Sequence, residues 1–237
     1  MDGLKKISYS QYALWKQCPY QWKLQYVDGI RDFTDSIHTI FGTSMHEVIQ
    51  TFLHVMYTET AKKAESLDLE DLLRVRMKKN FESAVKQNGG EMFCTEKDMV
   101  EFYVHGTEIL NFLKKKRGQY FSKKGYELLG IEVKLDYDLP NNLKFIGYLD
   151  VVIKDTVRNV IKIYDIKTST MGWNKWVKAD SNKTDQLLLY KQFYAKQYDH
   201  PVDKVEVEYF ILKRKLYENL DFPQKRVQKF VPANGKP

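Results

Sequence analysis

Asp150, Asp165 and Lys167 stand inside two apolar runs, and their spacing suits two carboxylates holding one cation beside an ammonium group. Phe145 to Ile153 and Val160 to Ile166 are rich in Val, Ile and Tyr, which favours strands. Lys154 to Asn159 supplies the polar connection of a hairpin. Residues two apart in a strand point the same way, so Asp165 and Lys167 share a face. A turn centred near Thr156 and Val157 sets Asp150 opposite Ile163 and diagonal to Asp165, about 7–8 Å away. A register slipped by one residue puts the two aspartates on opposite faces and removes the site. Asp-x-Lys can also be a surface ion pair of little energetic weight. Two carboxylates flanked by Val, Ile and Tyr are costly, however, unless a cation or a donor satisfies them.

The tetrapeptide GYLD at 147–150, followed by YDIKTST at 164–170, resembles the second and third motifs of the PD-(D/E)XK nuclease superfamily, in its RecB-like branch. Gly42, Thr43, His46 and Gln50 fit G-T-x-x-H-x-x-x-Q, which resembles the first motif of that branch. A lone His beside an apolar face is more often a hydrogen-bonded core residue. The resemblance instead implies that His46 is a metal ligand, together with Asp150, Asp165 and the carbonyl of Ile166. It also implies that Glu132, on the first core strand, is a candidate ligand or supporting group, although Glu132 can equally face solvent. Gln186 and Tyr190, four apart on a helix, are weak evidence alone and match the fourth motif. The implied cofactor is Mg2+ or Mn2+, and an imidazole ligand leans toward manganese. Lys167 would orient or deprotonate the attacking water, or stabilise the pentavalent phosphate. Gln186 and Tyr190 would position the nucleic-acid strand or the lysine. Some relatives open with a Cys-Pro-Tyr segment and hold an iron–sulfur cluster with three later cysteines. Here Cys18 is followed by Cys94 alone, so no cluster is expected and Cys18 reads as a buried thiol.

The remaining elements must position these groups. Ser8 to Tyr26 reads as a helix capped by Ser8 or Ser10 and broken at Pro19. Asp28 to Ile40, with Asp32, Asp35 and His38, reads as a polar loop. A helix then opens at Thr43 or Ser44, with Ser44 and Glu47 as a capping box and Met45, Val48, Ile49, Phe52, Leu53 and Met56 as its buried face. Ala61 to Gly125 reads as a helical insertion with one helix from about Leu69 to Asn88 and another starting at Thr95. Lys114 to Arg117 offsets a helix dipole or faces phosphate. Tyr126 to Leu139 alternates as a half-buried strand, and Pro140-Asn141-Asn142 turns into the next. After Lys167, Trp173 and Trp176 are interleaved with Lys175, Lys178 and Lys183; such a loop can stack bases and hold phosphates, or fold onto the domain. Asp185 to Tyr198 reads as a helix, Val205 to Leu212 as a strand, and Glu218 to Pro237 as a polar surface tail ending in GKP, where the natural chain can continue.

The 237 residues suit one α/β domain, with the helical part about 8–125, the core sheet and motif helix about 126–213 and the tail 218–237. The architecture the resemblance implies is restriction-endonuclease-like, a central mixed β-sheet flanked by helices. Lys and Arg number 38 against 31 Asp and Glu, a net +7 compatible with a nucleic-acid partner. No stretch resembles a signal peptide or reaches the roughly eighteen apolar residues of a membrane span, so a cytoplasmic protein without a membrane partner is expected. By the resemblance, the activity is DNA cleavage in recombination, repair or phage DNA processing, as an exonuclease or at ends and flaps. No P-loop is present, so a helicase or recombination partner would be a separate chain. A non-catalytic DNA-binding or assembly module and a restriction-type endonuclease are the alternatives. Retention of Asp150, Asp165 and Lys167 speaks against the first, and the lack of a dedicated recognition domain against the second.

Overall fold

The computed structural model of the chain describes residues 5–30, 35–217 and 221–233. A short strand β1 (Lys5–Ile7) precedes helices α1 (Tyr9–Gln17), α2 (Pro19–Tyr26), α3 (Ile37–Thr58), α4 (Ala61–Ser66), α5 (Leu69–Gln87), α6 (Glu96–Lys115) and α7 (Arg117–Tyr120). Strands β2 (Tyr126–Leu139), β3 (Leu143–Asp155) and β4 (Val160–Ser169) follow, then α8 (Lys175–Ala179), α9 (Ser181–Gln197), β5 (Val205–Lys213) and β6 (Val227–Phe230). The sheet is mixed, as expected. β2 pairs antiparallel with β3 along one side. The other side of β3 is shared: β1 runs parallel to its start and β4 antiparallel to its end. β5 lies parallel to β4, and β6 is antiparallel to β5.

Alternation along the strands feeds two apolar cores. One holds Val151, Ile153, Tyr164, Ile166, Phe210 and Leu212 against α3, α5, α6 and the Tyr120–Phe121 corner. The other holds Phe145, Val152, Ile163, Tyr209 and Ile211 against α9, with Tyr9 of α1 beside them. Burying each such side chain contributes about 1.5–3 kcal/mol. Thr95 and Asp98 form the reciprocal cap of α6, and Asn88 ends α5 before Gly89 and Gly90, both with positive φ.

Several expectations need correction. Helix α3 begins at Ile37, capped by Ser36, six residues before Thr43. Ile40 and Phe41 are buried and extend its apolar face N-terminally, so Ser44 and Glu47 lie inside the helix. The Ser44 hydroxyl is buried and accepts from Asn80 Nδ2 at 3.0 Å. Asp32 lies outside the described residues. Cys18 is only half-buried, and its sulfur caps α2 by accepting from Gln21 N. The C-terminal stretch is not all surface tail, because Val227–Phe230 completes the sheet and Val227 is buried.

Candidate active site

The β3–β4 ladder runs from Asp155↔Val160 to Val151↔Tyr164 and stops there. Its hairpin loop is 156–159, centred one residue later than the turn near Thr156 and Val157 that the sequence suggests, so the register differs by two from that expectation. An even slip keeps every side chain on its face. Continuing the register by one residue brings Asp150 level with Asp165 rather than with Ile163. The strands part here, and Asp150 Oδ2 fills the gap by accepting from Ile166 N at 2.6 Å.

On the other flank, Ile131↔Val151 and Val133↔Leu149 leave Glu132 level with Asp150. Glu132 has φ 51°, a conformation that is rare for a residue with a Cβ. Both strands change face at this level. Leu149 joins the α9-side core and Val151 the α3-side core; Val133 and Ile131 divide the same way. The regular alternation expected of Ile131, Val133 and Leu135 therefore breaks at Glu132. Glu132, Asp150 and Asp165 stand in a row across three adjacent strands, and the left-handed backbone of Glu132 is of the kind that clusters at functional sites; the register irregularity of β2 lies further back, between Leu128 and Gly130.

Lys167 Nζ lies 2.5 Å from Asp165 Oδ2. Asp165 is 5% exposed, and the Lys167 ammonium is the partner of this oxygen. From α3, His46 Nδ1 approaches Asp150 Oδ2 at 3.6 Å. Gln50, one turn further along α3, donates to Glu132 Oε1 at 2.5 Å. His46, Gln50 and Glu132 line an open cleft of about 560 Å³ with Gly42 and Thr43. Behind the strands, Gln186 Nε2 donates to the Tyr190 hydroxyl at 3.3 Å, and Gln186 Oε1 accepts from Tyr209. The Tyr190 ring lies over Gly147: a Cβ there would meet its Cε1 at 3.1 Å, which accounts for the glycine of GYLD.

Burial, reinforced by Asp165, pushes the Asp150 carboxyl far above the usual carboxylate range. Burial and then the Lys167 ammonium lower the His46 pKa, favouring the neutral imidazole that can ligate a metal. Burial opposes the charge on Lys167, yet Asp165 and Asp150 together hold it above an ordinary lysine. Burial also raises the Tyr190 hydroxyl, which the charges of Asp165 and Lys167 reach.

The loop after β4 separates its residues. Trp173 packs on Tyr209 and Phe230, with ring centroids at 4.7 and 6.1 Å. Its backbone is gripped at both ends by Gln228 of β6, an anchor invisible in a polar C-terminal stretch. Lys183 lies over the Trp173 ring and Lys178 over Phe230. Trp176, by contrast, is 72% exposed, with Lys175 Nζ 4.8 Å above its ring. Among the described residues, no three His, Cys, Asp or Glu side chains form a ready-made metal cage, and Asp165 is turned onto Lys167.

Comparison with curated proteins finds no match. Among solved structures, a crystal structure described as a "Putative exonuclease" from Eubacterium rectale shares 13% identity, covering 97% of this chain and 73% of that one, with a TM-score of 0.54. A second, described as SSO0001, has 12% identity, covers 94% of this chain and 76% of that one, and has a TM-score of only 0.33. The first likeness concerns the fold, a restriction-endonuclease-like α/β arrangement. The sequence model of the PD-(D/E)XK nuclease superfamily matches residues 6–235, which takes in both strand aspartates, the lysine and the helices on either side; the chain belongs to that superfamily.

Proposed function

We propose that this protein is a metal-dependent deoxyribonuclease of the RecB-like branch, cutting phosphodiester bonds at DNA ends or flaps during recombination, repair or phage DNA processing. One observation carries the reading: Asp150 and Asp165 meet where two strands part, with His46 and Lys167 against them. The donor set fits Mg2+ or Mn2+. It is oxygen-rich with one imidazole, and its two carboxylates sit side by side with the Lys167 ammonium beside them. Asp150, Asp165, His46 and the Ile166 carbonyl would hold the ion, with Glu132 at its edge. Bound there, such an ion neutralises phosphate charge and eases ionisation of the attacking water.

The chain's own groups do the rest. Lys167 is held as an ammonium, which suits it to stabilising the pentavalent phosphate rather than to removing a proton. Ile166 N fixes the Asp150 carboxylate, and Gln50 holds Glu132. Tyr190, oriented by Gln186, backs Lys167 and Asp165. Trp176 and Lys175 offer an exposed ring and cation to a nucleotide strand, while Trp173, Lys178 and Lys183 hold their loop in place.

The test is incubation of end-labelled single- and double-stranded DNA with magnesium, manganese or chelator. Products from one end, lost with chelator and abolished by Asp165→Ala or Lys167→Ala in folded protein, are expected. Full activity in either variant would refute the assignment.

A further inference from the structure

A second surface carries charge that the catalytic cleft does not use. A groove of about 800 Å³ runs between the C-terminal part of α6, α7 and the approach to β6. Lys116, Lys123, Lys213, Lys225 and Lys229 line it, and no carboxylate does among the described residues. Lys229 is matched to Glu208 at 2.8 Å, but the other four make no ion pair among the described residues. Three lysines elsewhere are matched instead: Lys144 by Asp136, Lys162 by Glu206 and Lys16 by Asp185. A neighbouring cleft of about 400 Å³ shares Lys123 and Lys229 and adds Lys124, with Arg158 and Lys162, both paired to Glu206, and one carboxylate, Asp155, on its lining.

The groove begins beside the candidate site. Lys213 pairs in register with Ser169, two residues after Lys167 on β4. Its aliphatic stem crosses Gly172, where a Cβ would lie 3.0 Å from Lys213 Cε. The loop that leaves the Asp165–Lys167 strand therefore forms the lip of the groove. Four unneutralised ammonium groups gathered on one concave surface repel one another unless an anion joins them, and a chain of phosphates supplies several anions at once.

We propose that this groove holds the sugar–phosphate backbone of the nucleic acid beyond the point of cleavage. The substrate class rests on the nuclease reading above; the groove itself is a separate surface. Binding would be independent of sequence, because lysines on phosphates position a strand without reading bases.

The test compares wild type with Lys116→Ala/Lys123→Ala/Lys213→Ala/Lys225→Ala. A control removes four exposed lysines elsewhere, Lys62, Lys79, Lys86 and Lys196. Fluorescence anisotropy with labelled duplex and single-stranded oligonucleotides, in chelator and across a salt series, reads binding without cleavage. The groove variant should lose at least tenfold in affinity. Its slope of log K against log salt should fall by roughly 0.9 per lysine on duplex or 0.7 on a single strand. Wild-type affinity and slope in a folded groove variant, or an equal loss in the control, would overturn the proposal. Manganese-dependent hydrolysis of bis(p-nitrophenyl) phosphate by wild type, a diester too short to reach the groove, tests the nuclease reading separately.

Discussion

Replacing Asp150 with Asn should make the metal-free protein more stable, and only above acidic pH. Asp150 has a side chain 12% exposed, is level with Asp165 and Glu132, and its pKa is pushed up from 3.8 to about 8 by burial first and by Asp165 next. A carboxyl whose native pKa exceeds its unfolded value supports folding fully below the unfolded value, and that support is lost as pH rises toward the native one. At pH 4 wild type and variant should therefore melt together. At pH 8 the wild type carries the full cost of a charge, or of a proton held against its unfolded affinity. Each tenfold change in proton affinity is about 1.4 kcal/mol, so the cost is on the order of a few kcal/mol. For a chain of this length that corresponds to a Tm gain of roughly 5–10 °C for the variant. The asparagine Oδ1 can still accept from Ile166 N, so packing is preserved. Scanning calorimetry in chelator at pH 4, 6 and 8 gives the answer. Manganese should then reverse the order, stabilising wild type far more than the variant. A variant no more stable than wild type at pH 8, or a gain that is largest at pH 4, would refute the reasoning.

Two further outcomes follow from the geometry. Trp176→Ala should weaken single-strand binding more than duplex binding, by about 1–3 kcal/mol if its ring stacks a base; equal losses in anisotropy titrations would rule out stacking. Gly147→Ala should destabilise the fold by about 1–3 kcal/mol and lower activity, since its methyl group meets Tyr190 at 3.1 Å and that ring is buried; an unchanged denaturation midpoint would show that Tyr190 yields freely.

The strand pair was legible because β-branched runs on either side of a polar connection are a local signal, and so was the shared face of Asp165 and Lys167. The register was not, because nothing local fixes where within Lys154 to Asn159 the turn is centred. The slip is even, so both aspartates keep the face expected of them. The start of α3 was misplaced because Ser44-x-x-Glu47 copies a cap inside a helix, while its real meaning depends on Asn80, 36 residues away. Ile131, Val133 and Leu135 alternate in sequence as one face; only the positive φ of Glu132 divides them, and a backbone angle leaves no compositional trace at a glutamate. Trp173 and Trp176 are equivalent in sequence and differ because Gln228 and Tyr209 reach one and not the other. Edge strand β6, four residues in a polar context, has too little apolar character to be read without its partner β5.

The central claim is that His46, Asp150 and Asp165 share one divalent ion beside Lys167. Diffraction from a manganese-soaked crystal at the manganese absorption edge tests it most directly. The account predicts an anomalous peak bounded by Asp150, Asp165 and His46, with the Lys167 ammonium moved off Asp165. Manganese bound elsewhere, or Asp165 still paired to Lys167 at saturating manganese, would contradict it.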